Sequence, residues 1–162
     1  KGFNSVALGE NFDQDPGLSK NRKVIIQYIE SNQSSNTKND LKKLKKGQSL
    51  VLKHLNFKPG LEEFRDIAIP VLNDLLNIMN ERKDIHIEIH GHICCVYSDN
   101  TELSTRRALK VRDYLIQNGI SLDRLSYEGH GSTHPIYPLP EINEEQMKVN
   151  RRVEIEITKI GE

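Results

Sequence analysis

Apolar and polar residues alternate strictly over residues 85–90, with isoleucine at every second position. A period of two places successive side chains on opposite faces, so this pattern predicts a half-buried β-strand. Gly91 ends the strict alternation, and we predict that the strand reaches His92. Residues 152–158 alternate in the same way, which predicts a second strand with one wet face.

Two segments carry the signature of amphipathic helices. The first series consists of Phe64, Ala68, Val71, Leu75 and Met79. This spacing predicts a helix that ends near residues 81–84. Pro70 belongs in its first turn, because an interior proline would cost about 3 kcal/mol. A second helix is predicted over residues 103–118, where an Asn-Gly pair stops it and Asn100 or Thr101 can cap its start.

Two further strands are predicted, over residues 49–57 and 123–131. Residues 134–149 contain several prolines and are predicted to form a loop. The order strand, helix, strand, helix, strand, strand indicates the α/β fold class. We predict a two-layer sandwich in which two helices cover one face of a mixed sheet.

The first part of the chain differs in composition from the rest. Residues 1–46 are predicted to form an N-terminal extension or linker, with one candidate strand over residues 21–30. The Lys-rich stretch of residues 41–46 offers little core and is expected to be solvated. We place a boundary near Gly47 and predict a folded domain over residues 47–160.

Charge and composition exclude several classes of function. The chain has 162 residues, with 23 basic and 23 acidic side chains and a formal net charge of +0. This balance argues against nucleic acid or an anionic membrane surface as the main partner. No apolar run approaches the roughly 18–20 residues that a membrane helix needs. Because the sequence starts at Lys1, we interpret it as a mature or truncated product.

Candidate catalytic chemistry is sparse. The sequence has no Gly-x-Ser-x-Gly, no phosphate loop and no His-Glu-x-x-His, so we predict a non-enzymatic protein without a cofactor. His90, His92 and Cys94 would share one side of the strand and could form a metal or thiol site. The alternative is that His86 and His90 line the wetter face of the sheet. We favour this alternative, because strand spacing alone is poor evidence for a closed tetrahedral site.

Three separated motifs carry a family resemblance. They are Gly91-His92, then Asn100-x-x-Leu103-Ser104-x-x-Arg107-Ala108, then Asn150-Arg151-Arg152-Val153-Glu154-Ile155. Together they resemble the OmpA-like domain, a peptidoglycan-binding module of Gram-negative envelope proteins. The resemblance covers residues 47–159 and implies the same α/β arrangement. It implies a protein at the periplasmic face of the outer membrane that is anchored to the cell wall and can meet other envelope proteins.

The resemblance also assigns a ligand and residues that contact it. In the family, the helix start binds the zwitterionic end of diaminopimelate in the peptidoglycan stem peptide. Arg107 matches the arginine that pairs with the ligand carboxylate, a task suited to a guanidinium with parallel donors. We expect Arg107 to be an exposed helix residue. Asn100 and Leu103 match further positions of the helix motif, and Arg151 matches an arginine that faces the pocket.

One family residue is missing from the loop after the central strand. Gly-His is normally followed by Thr-Asp, and that aspartate receives the ligand ammonium; here the positions are Ile93 and Cys94. The loop before the helix is also about two residues shorter than the usual pattern. Asp99 is our candidate for receiving the ammonium, with Glu102 behind it. The alternative is a structural or docking domain that has lost the ligand site.

Cys94 and Cys95 stand side by side. An exported chain meets an oxidising compartment, so we predict a disulfide between them. Adjacent Cα atoms lie about 3.8 Å apart, below the usual disulfide range, and such a bond would be strained. The alternative is two free, partly buried thiols.

Overall fold

The computed structural model describes residues 35–161, with side chains from residue 39. Besides two short 3₁₀ helices, Asp66–Ala68 and Leu122–Arg124, the described part of the chain contains four strands and four α-helices. In chain order they are α1 (Ser35–Lys43), β1 (Ser49–Val51), α2 (Ile69–Glu81), β2 (Ile85–His92), α3 (Leu103–Gln117), β3 (Leu125–Gly131), α4 (Glu144–Asn150) and β4 (Val153–Ile160). None of the helices in this part is long and apolar enough to cross a bilayer.

The strands form one mixed sheet in the order β1-β4-β2-β3. β2 pairs with β3 in parallel and with β4 in antiparallel orientation, and β1 pairs with β4 at the edge. A parallel pair needs a crossover connection, and α3 provides it between β2 and β3. The predicted fold class is therefore confirmed, as is the placement of Pro70 at the start of α2.

The core lies between the sheet and the helices α2 and α3. Ile85, Ile87 and Ile89 of β2 are almost completely buried, as the alternating pattern predicted. The apolar residues of β4 fill the same layer, and from the helices Leu72, Leu75, Val111 and Leu115 complete it. Burial of one such side chain contributes about 1.5–3 kcal/mol relative to exposure. The other face of the sheet carries polar residues.

Two glycines let the start of α3 lie directly on the sheet. A Cβ atom on Gly91 would come within 2.1 Å of the Ser104 carbonyl oxygen, and one on Gly129 within 2.2 Å of the Thr105 hydroxyl oxygen. Any side chain there would push α3 off the strands. The two glycines therefore fix the height of the helix start, where the candidate site residues lie.

Three predictions about the periphery need correction. β1 ends at Val51 rather than near Phe57, and His54 then adopts a positive φ of 65°. The stretch of residues 41–46 is not simply solvated, because Leu41 is buried in the core and α1 packs against α2. Residues 134–149 are not all loop, since Asn143 caps α4 by accepting a hydrogen bond from the Gln146 N–H. The candidate strand over residues 21–30 lies outside the described residues.

Candidate functional site

The start of α3 is capped by Asp99. One carboxylate oxygen accepts the Leu103 N–H and the other accepts the Ser104 N–H, each at 2.8 Å. The prediction that Asn100 or Thr101 caps this helix is therefore wrong. A carboxylate satisfies two free N–H groups, one with each oxygen, and its full negative charge complements the positive end of the helix.

The pKa of Asp99 lies below its ordinary value. Burial raises this pKa, but hydrogen bonds from Ser104 and from the Leu103 N–H outweigh the burial. Asp99 is therefore ionised at neutral pH. It is a fixed negative charge at the point where the loop enters α3.

Arg107 lies one helical turn further on and is only 4% exposed. Its Nε donates to the Leu61 carbonyl at 3.0 Å, and a terminal nitrogen reaches the Lys58 carbonyl at 3.4 Å. Its guanidinium also lies over the Phe57 ring, 4.9 Å from the centroid. The expectation of an exposed arginine was wrong, because the chain after β1 folds over this side of α3.

The charge of Arg107 sits in an unfavourable environment. Burial and then the positive charge of Arg151 lower its pKa to about 10, while Asp99 opposes the shift through space. The hydrogen bonds that it makes within the described part of the chain go to backbone carbonyls, not to a carboxylate. Arg107 is therefore a buried cation without a hydrogen-bonded counter-ion among these residues.

The Asn-Arg-Arg motif divides into three different environments. The Arg151 side chain is 40% exposed and contacts Glu144 at 3.1 Å and the Cys94 sulfur at 3.5 Å. Arg152 is buried and pairs with Glu154 beside it. Of these two arginines, Arg151 is the one that a ligand could reach.

Asn150 is a structural residue that sequence reasoning missed. Its side-chain oxygen accepts the N–H groups of Ile136 and Tyr137, and its amide donates to the Tyr137 carbonyl and to Glu141. All four hydrogen-bonding capacities of the amide are used inside a buried site. The motif therefore holds the loop before α4 in place, and only its position in the motif signalled a role.

A cavity of about 300 Å³ opens between the start of α3 and the end of β3. Asp99, Glu102 and Thr105 line it on the helix side, and His130 and Thr133 on the strand side. The other predicted ligand residues do not line this cavity; they are Asn100, Leu103, Arg107 and Arg151. Of the predicted ligand residues, the anion Asp99 therefore faces the cavity, whereas the cations Arg107 and Arg151 lie outside it.

The structure joins Cys94 and Cys95 by a disulfide bond. A bonded sulfur is not a thiolate, so the predicted group of His90, His92 and Cys94 is not assembled as a metal or thiol site. His92 is buried beside other imidazoles, and burial lowers its pKa to about 2. The imidazole that contacts His90 at 2.8 Å is His130 on the neighbouring strand, a contact that spacing along one strand could not indicate.

Comparison with known proteins places the chain in a family. The family model described as the OmpA family matches residues 56–149. Motility protein B of Helicobacter pylori is 28% identical over 86% of this chain and 62% of its own length. A MotB-like protein of Desulfovibrio vulgaris superposes with a TM-score of 0.59 at 30% identity, covering 68% of this chain and 73% of that chain. The periplasmic domain of Helicobacter pylori MotB gives 0.57 at 25% identity, covering 68% and 74%.

The chain therefore belongs to the OmpA family, as its three motifs predicted. The family match includes the loop with the disulfide and all of α3. The chain spans only 62% of the length of the curated motility protein that it matches.

Proposed function

We propose that this domain binds peptidoglycan without catalysis, through the diaminopimelate of the stem peptide, and so anchors an envelope protein to the cell wall from the periplasmic side. The observation that carries the proposal is the buried cation at Arg107. It lies near a second arginine and near the fixed anion Asp99. A site for a zwitterionic ligand needs both positive and negative side chains close together, as Arg107 and Asp99 are.

A ligand carboxylate would relieve the repulsion between Arg107 and Arg151. Each guanidinium disfavours the charge of the other, and an anion between two cations favours both charges. Arg151 would give up its contact with Glu144, a surface pair worth about 0–1 kcal/mol. A charge-assisted bond to a shielded carboxylate outweighs that loss.

Asp99 is the proposed acceptor for the ligand ammonium. Its two oxygens each receive one helix N–H, yet a carboxylate has about four lone-pair positions. Glu102 is exposed beside it and adds negative charge at the cavity. Asn100 supplies a neutral polar group, and Leu103 an apolar contact, on the outer side of the loop.

Sedimentation with purified sacculi tests the proposal. Arg151→Ala should reduce binding strongly, because loss of a charge-assisted partner costs on the order of 2–5 kcal/mol. Lys148→Ala is the matched control, since it removes the same charge from an exposed position of α4. Free diaminopimelate should compete with sacculi, whereas lysine should not. Equal sedimentation of both variants would contradict the proposed site.

A docking domain that has lost the ligand is the second candidate function. It is favoured by one observation, the disulfide-bonded Cys94 at the position of the family aspartate. This candidate predicts no sedimentation of the parent protein with sacculi. The two functions are therefore separated by the parent alone, before any variant is compared.

A further inference from the structure

Imidazole rings cluster on the sheet face that points away from α3. His90 and His92 on β2 and His130 on β3 lie on this face, because their neighbours Gly91 and Gly129 face the helix. The His130 ring stacks on both of the other rings, with centroids 5.0 Å and 4.9 Å apart. Two adjacent parallel strands thus bring three imidazoles into contact.

Three potential metal ligands converge within this cluster. Nδ1 of His90 and Nε2 of His130 lie only 2.8 Å apart. A carboxylate oxygen of Glu128, which is opposite His90 in the strand register, lies 3.8 Å from the same Nε2 of His130. One atom from each residue falls within 4.8 Å of the others.

Several buried ring nitrogens of the cluster have no hydrogen-bond partner among the described residues. They are Nε2 of His90 and both nitrogens of His92. These two residues are only 8% and 5% exposed. An unsatisfied buried polar group is unfavourable, and native structures usually satisfy it with protein, water or an ion. This region therefore offers more ligand atoms than the protein itself uses.

The surrounding charge favours a cation over an anion. Carboxylates of Glu156 and Glu88 lie 3.6 Å and 3.9 Å from Nε2 of His90, and one of Glu154 lies 3.8 Å from Nε2 of His92. Arg152 neutralises Glu154 through a direct contact. The remaining glutamates leave the rim of the cluster acidic.

We propose that His90, His130 and Glu128 bind a divalent transition-metal ion, with Zn²⁺ as the best match. Imidazole and carboxylate are the usual nitrogen and oxygen ligands of zinc. Zinc–nitrogen bonds of about 2.0–2.1 Å in tetrahedral geometry place two nitrogens about 3.3 Å apart. The two rings need to separate by only about 0.5 Å to reach this spacing.

Glu128 can complete the site without disturbing the core. Its side chain is 59% exposed and lies at the edge strand of the sheet, so it is free to turn towards the ion. Water fills the remaining position, as in zinc sites with three protein ligands. The site uses no sulfur and none of the side chains proposed to contact the peptidoglycan ligand, although His130 also borders the cavity beside Asp99 and Glu102.

Calorimetric titration of the untagged, chelator-stripped chain with ZnCl₂ tests the proposal under non-reducing conditions. We expect one ion per chain, at least about tenfold weaker binding for Glu128→Gln, and no measurable binding for His130→Asn. His86→Asn is the matched control, because His86 lies on the same strand and contacts the Asp123 carbonyl instead. A double Cys94→Ser, Cys95→Ser variant should bind zinc like the parent.

Nitrogen NMR of the histidine rings supplies a second measurement on the folded parent. Zinc should shift the signals of Nδ1 of His90 and Nε2 of His130 and leave those of His86 in place. Either of two results would overturn the proposal. One is a parent that binds no zinc; the other is zinc binding that Glu128→Gln and His130→Asn leave unchanged.

Discussion

Replacement of Arg107 by methionine separates its structural role from its binding role. Methionine fills a similar volume without charge, so the packing of α3 against the Phe57 ring is largely kept. We expect Arg107→Met to abolish sedimentation with sacculi while the domain stays folded. The expectation rests on the balance of energies around the guanidinium.

Two opposing contributions nearly cancel in the folded protein. Lowering of the pKa from 12.5 to about 10 corresponds to about 3 kcal/mol against the charged form of Arg107. The hydrogen bond to the Leu61 carbonyl contributes about 1.5–3 kcal/mol, and the contact with Phe57 about 0.5–2 kcal/mol. The longer bond to the Lys58 carbonyl, at 3.4 Å, adds little. The free energy of unfolding should therefore change by less than about 2 kcal/mol.

Binding should respond far more strongly than stability. A lost pair with a shielded carboxylate costs on the order of 2–5 kcal/mol, which is about 30-fold or more in affinity. Urea unfolding measures the first quantity and sacculus sedimentation the second. Arg106→Met is the control, because this neighbouring arginine is half exposed and contacts Glu62. Retained binding by Arg107→Met, or destabilisation beyond about 4 kcal/mol, would refute the reasoning.

Three further predictions follow from the loop and from the Asn-Arg-Arg motif. The pKa of Asp99 is lower in the folded state than in the unfolded state, where it is about 3.9. The ionised carboxylate therefore stabilises the folded domain at pH values above the unfolded-state pKa, and this stabilisation is lost as the pH falls through the folded-state pKa. Asp99→Asn should thus cost about 1 kcal/mol in urea unfolding at pH 7, because it removes the charge at the helix end, and the cost should shrink as pH falls below the unfolded value; a cost independent of pH would count against the charged cap. Asn150→Ala should lower the melting temperature and destabilise the folded domain by about 2–4 kcal/mol, because the Ile136 N–H and the Glu141 carboxylate lose their partner. A change below about 0.5 kcal/mol would show that water replaces the amide. The intact mass of the native chain should rise by two hydrogens on reduction of Cys94 and Cys95, and a constant mass would mean free thiols.

The alternating and helical patterns predicted the central elements because each has one buried face. β2, β4, α2 and α3 all have apolar residues at the period of their secondary structure. The patterns failed where burial is local. α1 contributes Leu41 to the core from a Lys-rich stretch, and α4 is only seven residues long and buries Asn150 rather than an apolar side chain. Such short elements depend on packing partners that a single sequence does not identify.

The sequence nominated residues for the candidate site but not their arrangement. The motifs proposed Arg107 and Arg151 as ligand contacts, yet nothing in their spacing indicated that the turn at Lys58 and Leu61 would bury Arg107. The contact between His90 and His130 was not predictable either, because the sequence does not indicate how β2 and β3 are aligned in the sheet. Contacts between distant segments therefore decided which groups are buried and which are accessible.

Glu102 provides the cleanest test of where the ligand ammonium binds. Asp99 caps α3, so any change at Asp99 alters the helix start as well as the proposed site. Glu102 lines the same cavity, is exposed, and has no side-chain capping bond, although its backbone is left-handed with a φ of 52°. Its removal therefore changes charge at the cavity without changing the fold.

Glu102→Gln should weaken the binding of diaminopimelate while leaving the melting temperature unchanged. Both oxygens of Asp99 share their charge with helix N–H groups, so a second carboxylate is needed to balance the ammonium next to the positive helix end. We expect a loss of about three- to tenfold at low ionic strength, which should shrink as salt screens the exposed charge. Glu145→Gln, an equally exposed change on α4, is the control. Equal affinity of Glu102→Gln and Glu145→Gln would place the ammonium away from the cavity, on the side of Arg107 and the disulfide.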